Sequence, residues 1–264
     1  MVRSGRLAMA AVTALLMLLV IAIPAAAIDV HDPSIFGPGE AWERTPLHAG
    51  STGPWVRELQ LSLNRAGFRV AETDGVFASQ TLGAVLAFQK LHGLERDGVF
   101  QPEHWEMLQL PLAGPGSNGE PDRIEVDLER QILFLIEGSA VLRVLPVSSG
   151  NGAAYVNYAG NTVAARTPEG RFEFNRQRNG WHESYLGFMY APVYFRGGYA
   201  IHGSNSVPAY PASHGCVRVT LSDMDYLRQY VELGMPVYVY GNRNERADLL
   251  PPPPKPREIP PGLV

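Results

Sequence analysis

The stretch IHGSNSVPAYPASHGCVRVT, residues 201–220, holds Cys216, the single cysteine of a 264-residue chain. His202 and His214 lie close by, and Arg218 follows two residues later. An unassisted thiol titrates near 8.5, about 1.5 units above neutral pH, so a cysteine that attacks carbonyls is usually paired with a base. On spacing alone either histidine fits that role. The run Ser213-His214-Gly215-Cys216 also lines up backbone N–H groups beside the sulfur, and such groups can hold the oxyanion formed when a carbonyl is attacked.

Outward from this stretch, composition limits the alternatives. The chain carries 22 Lys+Arg against 26 Asp+Glu, which gives no basic patch for nucleic acid. One cysteine cannot close an internal disulfide, so the fold must rest on packing. Arg3 and Arg6 precede an uncharged run from Leu7 to Ile28 that ends in Pro24-Ala25-Ala26-Ala27. This pattern predicts export through a signal peptide, or a membrane anchor, over residues 1–27. The protein is then expected in the cell wall or periplasm, touching the membrane only through an uncleaved anchor. A monomer is expected.

Residues 28–49 carry Pro33, Gly37, Pro38 and Gly39 without a period and read as an extended leader. Order is expected from residue 50. Thr52 or Gly53 caps a first helix with Pro54 at its first position, Val56, Leu59 and Leu63 mark its apolar face, and Gly67 stops it. A second helix is predicted over Ser79–Lys90, and a third after Pro102 that includes Trp105 and Leu108. Asp74-Gly75-Val76-Phe77 recurs as Asp97-Gly98-Val99-Phe100, each copy reading as a tight turn whose Val-Phe pair plugs the core. Each loop has too few alternating acidic residues for a calcium site. Phe88 and Trp105, at helical spacing, read as core.

Residues 110–122 are rich in Pro, Gly and Ser and read as a linker. Beyond it the period becomes two. Ile124, Val126 and Leu128 alternate with polar residues, and Ile132, Phe134 and Ile136 follow. Strands are further predicted at Val141–Val147, Arg171–Phe174, Ala191–Phe195, Tyr199–His202 and Pro236–Tyr240. One helix is expected there, capped by Ser222 with Asp225 three residues on and closed by Gly234. Residues 243–264 are proline-rich and read as a disordered or polyproline-II tail.

His202-Gly203 followed by Ser213-His214-Gly215-Cys216-Val217-Arg218 resembles the signature of the L,D-transpeptidases, the YkuD-domain family that cross-links bacterial peptidoglycan. Val126-Asp127-Leu128, Ser149-Gly150 and Thr167-Pro168-Glu169-Gly170 resemble further landmarks of that fold. Gly50–Leu108, with Leu59-Gln60, Phe88-Gln89 and Gly93-Leu94, resembles the type 1 peptidoglycan-binding domain, although Ala78 and Gln101 stand where that family often has glycine. The implied architecture has two domains: a small all-α three-helix module at 50–109 and a mainly-β sandwich of mixed sheets at 123–242.

The implied chemistry is a Cys216 acyl-enzyme with His202 as base, its ring oriented by the Gly203 carbonyl. His214, Gly215 and Ser213 would shape the oxyanion loop, with the amides of His214, Gly215 and Cys216 converging. Gly203, Ser204, Arg218, Tyr190 and Gly198 are candidates for substrate contact. Arg218 would meet either a substrate carboxylate or a protein carboxylate bracing the loop. Met189, Tyr190, Tyr194 and Gly197-Gly198 would line a stem-peptide groove or simply pack the sheet. The ten-residue gap from His202 to Ser213 is short for the family and shortens the loop over the site. Expected partners are peptidoglycan stem peptides and glycan strands, with no cofactor and no metal. The alternatives are an L,D-carboxypeptidase and a cell-wall-binding protein with little transferase activity. A zinc site built from His202, His214 and Cys216 is disfavoured, because ligands at i and i+2 on one loop seldom meet one metal.

Overall fold

A computed structural model of the chain describes residues 45–112, 114–115 and 119–241. The segment expected to direct export, the leader up to residue 44 and the proline-rich tail lie outside the described residues. No helix among the described residues is long and apolar enough to cross a membrane.

Three helices come first: α1 (Pro54–Arg65), α2 (Ser79–Leu91) and the short α3 (His104–Met107). Proline at the first turn of α1 costs nothing, since its missing N–H has no intrahelical partner there. Gly67, at φ 88°, ends the helix in a backbone conformation that a side chain would strain. The two Asp-Gly turns are held in the same way. Gln60 Nε2 donates to Asp74 Oδ1 at 3.1 Å and to the Val76 carbonyl at 3.0 Å, while its Oε1 accepts from Gly75 N at 2.9 Å. Gln89 does the same for Asp97 (2.7 Å), Val99 (3.0 Å) and Gly98 (2.9 Å).

Two sequence expectations need correction here. Phe77 and Phe100 fill the core as expected, but Val76 is exposed and Val99 only half-buried, because neighbours in an extended segment point opposite ways. Order also begins before residue 50. Leu47 pairs with Phe100 through two backbone hydrogen bonds of 2.9 and 2.7 Å and packs on the helical core.

Twelve strands follow among the described residues. The first sheet has the order β3-β2-β1-β12-β6, from β1 (Arg123–Asp127), β2 (Ile132–Glu137), β3 (Ala140–Pro146), β6 (Gly170–Glu173) and β12 (Pro236–Tyr240). A hairpin of β4 (Ala154–Val156) and β5 (Thr162–Ala164) stands apart. The second sheet runs β11-β10-β9-β7, with β8 also paired to β9. Its strands are β7 (Arg176–Gln177), β8 (Trp181–Ser184), β9 (Gly187–Arg196), β10 (Tyr199–Gly203) and β11 (Val217–Val219). The pairs β1–β12 and β10–β11 are parallel and the rest antiparallel.

The sheets stack over one core. Ile124, Val126, Leu133, Leu135 and Leu145 come from the first, and Val193, Phe195, Ile201, Val217 and Val219 from the second. The first sheet is covered on its other face too. Ile132, Phe134, Ile136 and Val144 join Phe68, Phe88 and the helices in a second core. Full burial of such side chains is worth about 1.5–3 kcal/mol each, so the helical module is firmly docked on the sheet. This explains why all five residues of β1 are buried where alternation with exposed polar positions was expected. Arg123 and Glu125 sit on the covered face and answer each other in a 2.6 Å ion pair.

The remaining helix, α4 (Leu221–Leu227), starts two residues earlier than expected. Thr220, not Ser222, is its cap: Thr220 Oγ1 accepts from Asp223 N at 3.1 Å and donates to Asp223 Oδ2 at 2.7 Å. The helix ends at Leu227, well before Gly234.

Candidate active site

Alternation in the second sheet sorts its side chains. Ile201, Val217 and Val219 face the core, so His202, Cys216 and Arg218 emerge on the opposite face. His202 and Arg218 are register partners in the parallel pair, and Cys216 lies one diagonal away. All three line a cavity of about 490 Å³, together with Gly198, Ser204, Ser213 and His214. The far walls come from the tips of two hairpins: Tyr155, Asn157 and Tyr158 from β4–β5, and Tyr185, Leu186 and Phe188 from β8–β9. Tyr158 and Tyr185 meet edge to face, with ring centroids 6.0 Å apart.

His202 is 5% exposed, and its Nδ1 lies 2.9 Å from the Gly203 carbonyl oxygen. A carbonyl only accepts, so Nδ1 carries the proton of the neutral ring and Nε2 keeps its lone pair. Burial is the largest cause pulling this imidazole down to about 4, opposed by the Gly203 hydrogen bond and assisted by the Arg218 charge. Burial pushes the Cys216 thiol up, although the Arg218 charge pulls the other way. Both shifts favour the uncharged forms, thiol and imidazole. Desolvation penalises both charged forms, so a base is needed at the moment of attack. The thiol donates weakly to the Gly198 carbonyl at 3.7 Å.

The loop before the cysteine is tied down at several points. Ser213 Oγ donates to the Cys216 carbonyl at 2.5 Å and accepts from Gly215 N at 3.0 Å. Thr167 Oγ1 donates to the Gly215 carbonyl at 2.8 Å. Gly215 sits at φ 135°, and a Cβ there would come within 2.6 Å of the Tyr199 ring, so only glycine fits. Because the Gly215 amide is spent on Ser213, the expected convergence of three free amides does not hold. His214 is exposed and meets Tyr155 edge to face at 5.0 Å.

Other expectations also change. Tyr190 is absent from the cavity wall: its hydroxyl donates to Asp225 Oδ1 at 2.8 Å and its ring packs beside Trp181 at 5.4 Å. The reason is the irregularity at Ala191, whose φ of 46° shifts the strand's alternation and turns Met189 to the cavity instead. Gly203 anchors the imidazole but lines nothing. Tyr194 is buried under the Arg176 guanidinium, 3.8 Å from its ring centroid, and packs beside Cys216 without reaching the cavity. Ser204 is on the wall, with its hydroxyl donating to the Ser206 carbonyl at 3.2 Å. No carboxylate among the described residues pairs with Arg218, so the loop-bracing role is not seen. The described residues hold no group of three or more His, Cys, Asp or Glu able to bind a metal.

The L,D-transpeptidase catalytic domain family, YkuD, matches residues 121–239, and a peptidoglycan binding domain family matches residues 52–108. An L,D-transpeptidase from Xylanimonas cellulosilytica is 43% identical, with a TM-score of 0.69, over 74% of this chain and 97% of that one. The chain belongs to the L,D-transpeptidase family. A second solved family structure, from Stackebrandtia nassauensis, is 22% identical over 75% of this chain and 97% of that one, with a TM-score of 0.43. A curated Bacillus licheniformis protein named "Probable N-acetylmuramoyl-L-alanine amidase" is 27% identical over 37% of this chain, and the match spans 28% of that protein's length.

The hairpin aromatics of this L,D-transpeptidase family chain were missed at the sequence level. A signal existed. Tyr155-Val156 and Thr162-Val163 flank Asn157-Tyr158-Ala159-Gly160-Asn161, and Asn157 Oδ1 accepts from the amides of Ala159 and Asn161, both at 3.0 Å. That is a hairpin turn with a mechanism.

Proposed function

We propose that the protein is an exported L,D-transpeptidase that forms 3→3 cross-links between peptidoglycan stems through an acyl-enzyme on Cys216. The observation that carries this reading is the shared face of the second sheet, where Cys216 and a His202 with a free Nε2 open on one cavity. His202 takes the thiol proton as the sulfur attacks the carbonyl between the third residue and the terminal D-alanine of a tetrapeptide. The scissile C–N bond breaks, D-alanine leaves with that proton on its amine, and a thioester remains. The amine of a neighbouring stem's third residue attacks the thioester and gives its proton to His202, and the thiol is restored. The amides of His214 and Cys216 hold the oxyanion, and Arg218 receives a substrate carboxylate. Ser204 and Gly198 sit where they border the stem, and the helical module contributes attachment to the wall.

Mass spectrometry of the protein with a disaccharide tetrapeptide tests this. A mass increase equal to the donor minus D-alanine, followed by cross-linked dimer, is expected. Cys216→Ala is expected to show neither. Tripeptide without dimer would make the protein a carboxypeptidase, and an unmodified native protein would overturn the reading.

A further inference from the structure

Two cationic side chains of the helical module reach into the catalytic sandwich at points that bear on the nucleophile. Lys90, in the last turn of α2, is 1% exposed. Its ammonium donates to the carbonyls of Gln131 (3.2 Å) and Val147 (3.1 Å), both in the β-domain. Sinking an ammonium this deep is costly, and an apolar residue would serve simple docking better.

The carbonyls it holds lie at the root of the catalytic loop. The Gln131 side chain accepts from Ser149 N at 2.9 Å and donates to Ser149 Oγ at 2.7 Å. The Ser149 carbonyl accepts from Ser213 N at 2.9 Å and Ala212 N at 3.0 Å. Ser148, directly after Val147, exchanges two 3.0 Å backbone hydrogen bonds with Arg218. Ser213 in turn closes on the Cys216 carbonyl. From Lys90 to the residue bearing the thiol there is thus an unbroken chain of hydrogen bonds and adjacent residues.

Arg69 grips the other end of the same strand. Its Nη1 donates to Asp223 Oδ1 at 2.9 Å and to Ser222 Oγ at 3.0 Å. Asp223 is buried, and its other carboxylate oxygen accepts from Thr220, the residue directly after β11.

We infer that Lys90 and Arg69 are positioning residues for Cys216, so that the helical module is part of the catalytic machinery rather than a wall anchor alone. The inference rests on the reading of Cys216 as nucleophile. A swinging anchor needs no buried charge at either end of the nucleophile's strand. Displacement of a reacting group by about 1 Å can cost roughly 100-fold in rate, so a loosened loop is expected to act on turnover and leave substrate binding nearly alone.

The test compares native protein with Lys90→Met, which keeps the chain's length and loses its donors, Lys90→Arg, which keeps charge and donors, and Arg69→Gln at the more accessible contact. Thermal unfolding establishes which variants fold. Two rates are read: stem-peptide turnover, and alkylation of Cys216 by iodoacetamide from pH 5 to 10, which needs no stem binding. Lys90→Met is expected to lower kcat roughly 10- to 100-fold with KM within about twofold, and to shift the alkylation profile, with Lys90→Arg restoring part of both. Arg69→Gln is expected to lower kcat in the same sense and by less. Folded Lys90→Met or Arg69→Gln with native kcat and a native alkylation profile would overturn the inference. If Lys90→Met does not fold, Arg69→Gln decides alone. Native protein that is alkylated normally but never acylated by stem peptide would count against the proposed function and leave the positioning result standing.

Discussion

The helical module and the cavity bury polar groups in opposite ways. In the module, Gln60 and Gln89 are 1% exposed, and each satisfies an aspartate, a glycine amide and a valine carbonyl at once. In the cavity, burial drives His202 down and Cys216 up, and no protein carboxylate among the described residues relieves Arg218. A polar group kept for structure is surrounded by matched partners. One kept for chemistry is left with a lone pair, a proton or a charge unspent, and the surrounding fold carries the cost.

The sharpest way to break this contrast is His202→Gln. Loss of the base is expected to lower turnover by about 100- to 10,000-fold, while the unfolding temperature at pH 7 stays level or rises because a desolvated ring is gone. A variant that loses stability instead of turnover would put His202 with the structural glutamines.

Acid provides the next test. The His202 pKa lies below its unfolded value, so its stabilising contribution is complete above about 6.5 and is lost as pH falls through about 4. Over that window the native protein is expected to lose roughly 3 kcal/mol more than His202→Gln in urea unfolding. His92 and His104, also held low by burial, are present in both proteins and cancel in the difference. Identical pH profiles for the two proteins would show that burial exacts no such toll at His202.

Gln60→Leu addresses the other side of the comparison. It leaves the Gly75 amide and the Val76 carbonyl without their partner and is expected to cost about 2 kcal/mol by urea unfolding. A neutral result would mean that the Asp-Gly turn holds itself.

Much of the architecture was readable because its causes are local. Pro54, Gly67 and Gly93 punctuate the helices, and the Asp-Gly repeat marks both turns wherever the chain goes. The HG and SHGC elements mark the family's signature loop in the same way. What failed was long-range. Ile132-Leu133-Phe134-Leu135-Ile136 is an unbroken apolar run, which by itself signals a strand covered on both faces, yet only half of it was read as inward. Of the two readings left open for Tyr190, packing rather than lining the cavity is the one seen, because a single irregular residue, Ala191, reverses which neighbours face the cavity. The cap of α4 was misread by two residues because Thr220 and Ser222 are both competent and only the end of β11 selects between them.

By itself the sequence determined the helices, the two tight turns, most core strands and the loop that carries the family signature, since each depends on residues within a few positions of one another. Tertiary structure alone decided which histidine shares the cysteine's sheet face with a free nitrogen, that burial pushes the thiol up, and that Lys90 of one module donates to the Gln131 and Val147 carbonyls of the other. Those outcomes depend on how deeply water is excluded and on contacts between residues far apart in the chain, and neither quantity is written in local spacing.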